Sequence, residues 1–315
     1  TLKLKQETPP TPGQPTKQAL VLPIKFGLLG PNGSPMGWSG VSGSELRDDM
    51  IVLDTESAEV TFTGIPSRPV PSLLRGFSAP VILESEASQE DQLFLARHDS
   101  DPFNRWQALQ DVGMDLAVAA IGGTPWSAAS IAALSQAMAD TLASETLDDA
   151  FKALALSLPD ESLIGRRIGQ DIDPTKIHAM RQQLLTAVFE PLGRQMLAAY
   201  NSLASSDPYA PDPASTGRRS LRNKLLGLLV ASEAAGAATL ASQQYAGATN
   251  MTDRLAALAA LVHASAPEAA GILADFRTRF GADPLVLDKW LAVTATAPRD
   301  GVIEDMKAIL ADPAF

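Results

Sequence analysis

Cysteine is absent from the 315-residue chain, and positive charge is in short supply. Without cysteine, a disulfide scaffold, a thiolate zinc site and a cysteine nucleophile are excluded. The 25 basic residues face 36 acidic ones, and the net charge of −11 argues against nucleic acid and anionic membrane as partners. No apolar run approaches the ~20 residues that span a bilayer, and no signal-peptide pattern opens the chain. We therefore expect a cytoplasmic protein.

Histidine is nearly as scarce, with only His98, His178 and His263 in the chain. Their spacings of 80 and 85 residues leave no pair one helical turn apart, so the H-E-x-x-H zinc motif is excluded. Each histidine stands beside a predicted helix start, core stripe or helix end, which favours a capping or packing role over ligation. The residues therefore predict no catalytic residue, no cofactor-binding residue and no metal ligand in this chain.

Residues 1–90 contain a series of short strand patterns. Residues 1–91 hold 11 of the 23 prolines and 9 of the 22 glycines, but only four alanines. Short apolar or alternating runs are bounded by proline or glycine, which favours strands over helices. We predict strands at residues 2–5, 19–29, 50–53, 59–63, 70–74 and 79–83. This set predicts a small Ig-like β-sandwich.

The remainder, residues 91–315, is rich in alanine and leucine and has helical patterns. Between residues 174 and 200 apolar side chains recur at helical spacing, which predicts one helix with a buried face. Asp-Pro pairs are typical helix starts, because aspartate caps the first turn and proline needs no N–H there. They occur at Asp101, Asp173, Asp207, Asp212, Asp283 and Asp312, and Asn250 with Asp253 is a further start signal. We predict a multidomain β plus α protein whose second domain is an all-helical solenoid or bowl of about ten helices in successive hairpins.

A glycine-rich segment at residues 30–43 partly fits a phosphate-binding loop and a serine nucleophile elbow. It lacks the lysine of a P-loop, and no helix pattern follows it. Val41 stands where the elbow requires its second glycine. We interpret the segment as a loop between strands, with Trp38 as its anchor.

Two charged groups could contact a ligand. The first is the basic cluster of Arg218, Arg219, Arg222 and Lys224. It could hold a carboxylate or a phosphate, but we favour ion pairing with acidic neighbouring helices. The second is residues 288–290, which we interpret as a tryptophan packed between helices with charges at its rim.

Seven short motifs, in order along nearly the whole chain, resemble the aminopeptidase N family, the zinc alanyl aminopeptidases of proteobacteria. They are residues 6–14 (QETPPTPGQ), 71–81 (PSLLRGFSAPV), 94–98 (FLARH), 101–106 (DPFNRW), 219–223 (RSLRN), 250–253 (NMTD) and 288–290 (DKW). One tetrapeptide would be weak evidence, whereas the ordered set is specific.

The resemblance implies that the chain is the C-terminal portion of a larger zinc-dependent enzyme that removes N-terminal amino acids from peptides. The family's H-E-x-x-H motif, its distant third glutamate, its G-A-M-E-N loop and its oxyanion-stabilising tyrosine belong to a zinc domain that this sequence does not contain. The family's helical domain also continues beyond the point that matches Phe315. We therefore expect residues 1–90 to be the sandwich and residues 91–315 to be a truncated helical domain.

On this interpretation the chain has a structural role and is itself inactive. It would cap the catalytic zinc domain and restrict access to short or unfolded peptides. The parent's zinc domain would be its intramolecular partner, peptides would be the parent's substrates, and exposed truncation surfaces would favour self-association. The alternative is an independent helical scaffold that binds peptides or protein partners in a groove.

Overall fold

The computed structural model describes residues 1–312, which form two compact units. The first unit is Thr1–Leu116, and the second begins at Ala117. The first contains a β-sandwich and the helix that follows it, and a long second helix starts in it. The predicted domain boundary near residue 90 remains a prediction.

The sandwich consists of two antiparallel sheets. The strands are β1 (Leu2–Lys5), β2 (Leu22–Leu29), β3 (Gly40–Ser42), β4 (Leu46–Arg47), β5 (Met50–Leu53), β6 (Ser57–Thr63) and β7 (Val70–Leu73). One sheet has the order β1-β6-β3 and the other β4-β5-β2-β7. Strand β2 shows why the sheets pack, since Ile24, Phe26 and Leu28 alternate along it and are all buried.

Five of the six predicted strands are present, with small shifts at their ends, but the strand predicted at residues 79–83 is wrong. Pro80 has no N–H to offer to a sheet. The N–H of Val81 instead donates to the carbonyl of Ala79, two residues back, over 2.9 Å. No strand pairs with this segment among the described residues, and Ile82 is 91% exposed.

Helices account for the regular structure that follows residue 88. The first two are α1 (Gln89–His98) and α2 (Pro102–Ile121). The second unit then contains α3 (Ala128–Ala143), α4 (Asp149–Ala155), α5 (Glu161–Ile168), α6 (Pro174–Phe189), α7 (Gly193–Ser202), α8 (Pro213–Ala231), α9 (Ala237–Gly247), α10 (Met251–His263), α11 (Ala269–Phe280), α12 (Pro284–Ala295) and α13 (Val302–Leu310). No helix in residues 1–312 is long and apolar enough to cross a membrane.

The single helix predicted between residues 174 and 200 is wrong in one respect. The apolar stripe is buried as expected, except that Met180 is half-buried, but the helix is interrupted by a 3₁₀ turn at Glu190–Leu192. Pro191 causes the break because it has no N–H to continue the α-helical ladder. The chain continues as α7, whose Met196 and Tyr200 remain in the core.

Most of the predicted helix starts are confirmed. The side chains of Asp173, Asp212 and Asp283 accept first-turn N–H groups of α6, α8 and α12, with proline at the first turn. Asp101 accepts from the N–H of Asn104 in α2. Asn250 caps α10, as predicted.

One Asp-Pro pair does not begin a helix, and the outcome for another lies outside the described residues. No helix begins at Asp207, which lies in an irregular segment. The start predicted at Asp312 falls at residues outside the described part of the chain.

Helix α8 is the centre of the second unit. It packs against α4, α6, α7, α9 and α10. Leu221, Leu225 and Leu228 are buried along it. Helices α10 to α13 then pack each on the next, as successive helices of a solenoid do.

Candidate functional site

A buried polar cluster lies at the junction between β7 and the first two helices. The guanidinium of Arg75 donates from Nη2 to Asp99 Oδ1 over 2.7 Å and from Nε to Ser72 Oγ over 2.9 Å. The amide of Asn104 donates to the same Ser72 hydroxyl and to the Leu73 carbonyl, both over 2.8 Å. Ser72 and Asp99 are almost fully buried. We call Ser72, Arg75, Asp99 and Asn104 the junction cluster.

The backbone around Arg75 is shaped for this contact. Leu74 has a left-handed conformation with φ of 58°, and Gly76 follows at φ of 60°. The N–H of Gly76 donates to Asp101 Oδ2 over 2.8 Å, which fixes the turn against the start of α2. Gly27 on β2 leaves the space for the guanidinium, since a Cβ there would lie 2.4 Å from Arg75 Cζ. The cluster therefore holds the sandwich to α1 and α2 within the first unit.

A second ion pair reinforces this junction. Arg68 forms a two-pronged contact with Asp91 of α1, with distances of 2.9 and 2.7 Å. Its guanidinium holds the pKa of the Asp91 carboxyl below the usual value, and the Ser88 cap adds to this effect. Asp91 is buried whereas Arg68 is mostly exposed, so the pair anchors the first turn of α1.

A second polar cluster lies inside the helical unit, where α7, α8, α9 and α10 meet. Tyr200 donates its hydroxyl to Gln244 Oε1 over 2.8 Å and accepts from Arg222 Nη2 over 2.8 Å. Gln244 donates to Asn223 Oδ1 over 2.8 Å and to the carbonyl of Asp253 over 2.9 Å. Asn223 donates to Asp253 Oδ1 over 2.9 Å. We call Tyr200, Arg222, Asn223, Gln244 and Asp253 the helical cluster.

The side chains of the helical cluster stabilise the packing of the four helices. The guanidinium of Arg222 stacks on the Tyr200 ring at 4.3 Å, and its Nε is buried with no hydrogen-bond partner among the described residues. Burial raises the pKa of the Tyr200 hydroxyl, so this phenol stays protonated and donates to Gln244. Such a group is neither a base nor a nucleophile near neutral pH.

Of the basic cluster predicted to form ion pairs, only Arg218 does so within the described part of the chain. Arg218 lies 3.7 Å from Asp207. Arg219 instead stacks on the Tyr209 ring at 4.5 Å and donates to the Ala210 carbonyl, and Arg222 stacks on Tyr200. Lys224 has no hydrogen-bond or ion-pair partner among residues 1–312, and burial lowers its pKa to about 8. The stacking of the arginines on Tyr200 and Tyr209 could not be predicted from the sequence, because these tyrosines lie in other segments of the chain.

The three histidines lie on separate elements. His98 ends α1, where its ring packs on Phe94 with the centroids 4.7 Å apart. His178 Nδ1 lies 2.7 Å from Glu161 Oε1, and His263 Nε2 lies 3.0 Å from Thr296 Oγ1. Burial lowers the pKa of His263. In the described part of the chain no three His, Asp or Glu side chains are grouped to hold a metal ion, so these residues do not fit a family zinc site.

Residues 30–39 of the glycine-rich segment form the loop between β2 and β3, and residues 40–42 are β3 itself. Trp38 anchors the loop, with its ring centroid 5.3 Å from each of Phe26 and Phe62. At residues 288–290, Trp290 is buried and donates from Nε1 to the Leu273 carbonyl over 3.0 Å. Arg277 stacks on that ring at 4.9 Å. Both segments are therefore packing features.

Comparison with known families and proteins places the chain in a family. A family model described as a domain of unknown function, DUF3458_C, with ARM repeats, matches residues 89–315, and a DUF3458 model with an Ig-like fold matches residues 1–86. The chain belongs to the DUF3458_C family. The predicted fold, an Ig-like β-sandwich followed by an all-helical solenoid, is confirmed by the Ig-like and ARM-repeat descriptions of the two models.

Curated relatives named Aminopeptidase N match this chain over most of its length. The Caulobacter vibrioides protein is 34% identical over 89% of the chain, and the Escherichia coli protein is 33% identical over 100%. A Legionella pneumophila aminopeptidase A structure, in complex with aspartic acid, is similar with a TM-score of 0.77 and 25% identity over 93% of the chain. The chain spans about a third of the length of each, with 32%, 36% and 34% covered. The resemblance to aminopeptidase N is confirmed.

Four of the seven motifs that carry this resemblance supply side chains to the two clusters. Residues 71–81 and 101–106 supply Ser72, Arg75 and Asn104 to the junction cluster. Residues 219–223 and 250–253 supply Arg222, Asn223 and Asp253 to the helical cluster. Tyr200 and Gln244 lie outside the motifs and were not predicted. The sequence pattern indicated Tyr200 only as the last residue of an apolar stripe. These motif side chains therefore hold elements of the fold together.

Proposed function

We propose that the chain is the non-catalytic C-terminal region of a zinc-dependent aminopeptidase N that removes N-terminal amino acids from peptides. The observation that carries the proposal is the 33–34% identity to curated Aminopeptidase N proteins over 89–100% of the chain. The chain covers only 32–36% of those proteins, so their activity is proposed here for a longer enzyme. Zinc would be held in the catalytic domain of that enzyme.

The proposed role of this region is to cap the catalytic domain and restrict access to its cavity. The two polar clusters support the proposal, because buried side chains that hydrogen-bond between neighbouring elements make a unit stiff. A stiff wall admits a flexible peptide end and rejects a folded protein. The catalytic zinc domain would be its partner within one polypeptide, and peptides would be the substrates. A cytoplasmic location and self-association through apolar surface remain predictions.

A second candidate is an independent helical scaffold that binds peptides or protein partners. The observation that favours it is a groove of about 620 Å³ between α5 and the start of α6. Its volume falls within the range of ligand sites in proteins.

The two candidates are separated by activity in two purified proteins. The first is this chain, and the second is the product of the coding sequence that extends upstream of it. We expect chelator-sensitive hydrolysis of alanyl-p-nitroanilide by the longer product and none by the chain. A longer product without an aminopeptidase activity, or a reading frame that encodes this chain alone, would favour the scaffold.

Restricted access is tested on the longer product with two protein substrates that share one N-terminal sequence. One is a stably folded domain, and the other is the same domain unfolded by a core substitution. We expect release of the N-terminal residue from the unfolded form only. Equal rates for the two forms would contradict the role in access while leaving the aminopeptidase assignment intact.

A further inference from the structure

An open groove lies between α5 and the start of α6 and takes no part in either polar cluster. Its volume is about 620 Å³. The lining residues are Glu161, Ser162, Gly165, Arg166, Gly169, Ile172, Pro174 and Ile177. All of them lie within the helical unit.

The floor of the groove is apolar. Gly165 of α5 is buried and packs against two isoleucines that also line the groove. A Cβ built on Gly165 would lie 3.7 Å from Ile172 Cγ2 and 3.8 Å from Ile177 Cδ1, which are van der Waals distances. An apolar group placed there would contact both isoleucines. Ile172 is 48% exposed, which is apolar surface that a ligand would remove from water.

A positively charged side chain without an ion-pair partner among the described residues lies at the rim of the groove. Arg166 lines the groove and has neither an ion-pair nor a hydrogen-bond partner among the described residues. Glu161 also lines it, but its carboxylate is engaged by His178 over 2.7 Å. Asp173 caps α6 by accepting from the N–H of Lys176, and Asp171 does not line the groove. A free arginine beside an apolar floor favours a ligand that joins an apolar group to a carboxylate.

We propose that this groove binds the C-terminal residue of a peptide. The apolar side chain of that residue would lie on the floor of the groove, against the exposed side chain of Ile172. Its carboxylate would accept hydrogen bonds from the guanidinium of Arg166. The site concerns only this chain's own residues and does not rest on the proposed aminopeptidase function.

The test is a titration of the chain labelled with ¹³C at the isoleucine δ1 methyl groups. The probe is acetyl-Gly-Gly-Ser-Leu with a free carboxylate, and the controls are its C-terminal amide and acetyl-Gly-Gly-Ser-Gly. We expect the resonances of Ile172 and Ile177 to shift most with the free acid. Loss of a charge-assisted hydrogen bond should weaken binding of the amide by about tenfold. No shift at these two methyl groups up to millimolar probe, or equal affinity for acid and amide, would overturn the proposal.

Adjacent arginines supply a matched pair of variants. Arg166 lines the groove whereas Arg167, next in the chain and also exposed, does not. We expect Arg166→Gln to weaken binding of the free acid by about tenfold and Arg167→Gln by less than about twofold. Ile172→Ala should also weaken binding of the free acid, because it removes apolar surface from the floor of the groove. Circular dichroism would show that the helices persist. Equal losses in the two arginine variants would mean non-specific charge attraction and would overturn the proposal.

Discussion

The guanidinium of Arg75 and the carboxylate of Asp99 form a short ion pair, 2.7 Å from Nη2 to Oδ1, in which the Asp99 side chain is completely buried. Removing one partner of such a pair leaves the other charge buried without compensation. We expect Asp99→Ala to lower the free energy of unfolding by about 3 kcal/mol, measured by urea denaturation followed by circular dichroism.

The matched control for this pair is Asp49, whose carboxylate lies 3.5 Å from Lys25 Nζ. Both side chains of that pair are about half exposed. Exposed pairs contribute little because water and salt screen them, so Asp49→Ala should cost less than about 1 kcal/mol. A similar loss in both variants would show that the Arg75 contact has no special part in the junction.

Two arginines of the basic cluster should differ in their contribution to stability. Arg222 stacks on the buried Tyr200 ring and donates to its hydroxyl, whereas Arg219 stacks on the exposed Tyr209. We expect Arg222→Ala to cost about 2 kcal/mol and Arg219→Ala no more than about 1 kcal/mol. Urea unfolding of both variants at one pH tests this order of losses in the free energy of unfolding. A larger loss for Arg219→Ala than for Arg222→Ala would contradict the prediction.

The fold followed from local patterns, and the failures have local causes. Alternation along β2 and aspartate caps at α6, α8 and α12 act over a few residues, so the sequence displays them directly. Pro191 interrupts a stripe that is otherwise continuous, and the apolar spacing conceals the break. Residues 79–83 have strand composition, but no neighbouring strand pairs with them among the described residues.

The polar clusters could be predicted only in part. The resemblance drew attention to Asn223 and Asp253, which are 30 residues apart in the chain, but not to their shared partner Gln244. The hydrogen-bond partner of such a side chain depends on which helices pack together. Helical periodicity does not specify that packing. The groove beside α5 was not predicted either, since it depends on how α5 packs against the start of α6.

Lys224 should destabilise the chain at neutral pH. Burial, helped by the positive charge of Arg181, lowers its pKa from 10.5 to about 8. Between these values the unfolded chain holds one more proton than the folded chain, so stability from this group rises with pH across that window. Below about pH 8 both states are protonated, and the full cost of burying the charge is present.

The variant Lys224→Met removes this cost. We expect it to be more stable than the parent chain by about 1–3 kcal/mol at pH 7, with the advantage shrinking as the pH rises towards 10. The exposed Lys176→Met is the control, expected within about 0.5 kcal/mol of the parent at both pH 7 and pH 9.5. An advantage for Lys224→Met that stays constant with pH would place its origin in packing instead of charge.

The chain alone should bind no stoichiometric zinc and hydrolyse no aminoacyl substrate. A hydrolytic zinc site needs about three protein ligands and an open position for water. The histidines lie on α1, α6 and α10, and the chain has no cysteine to replace them. His178 and His263 already contact Glu161 and Thr296. Metal analysis of the purified chain, with an alanyl-p-nitroanilide assay with and without added zinc, tests this. About one zinc per chain with chelator-sensitive turnover would refute both the ligand inventory and the assignment of this chain as a non-catalytic region.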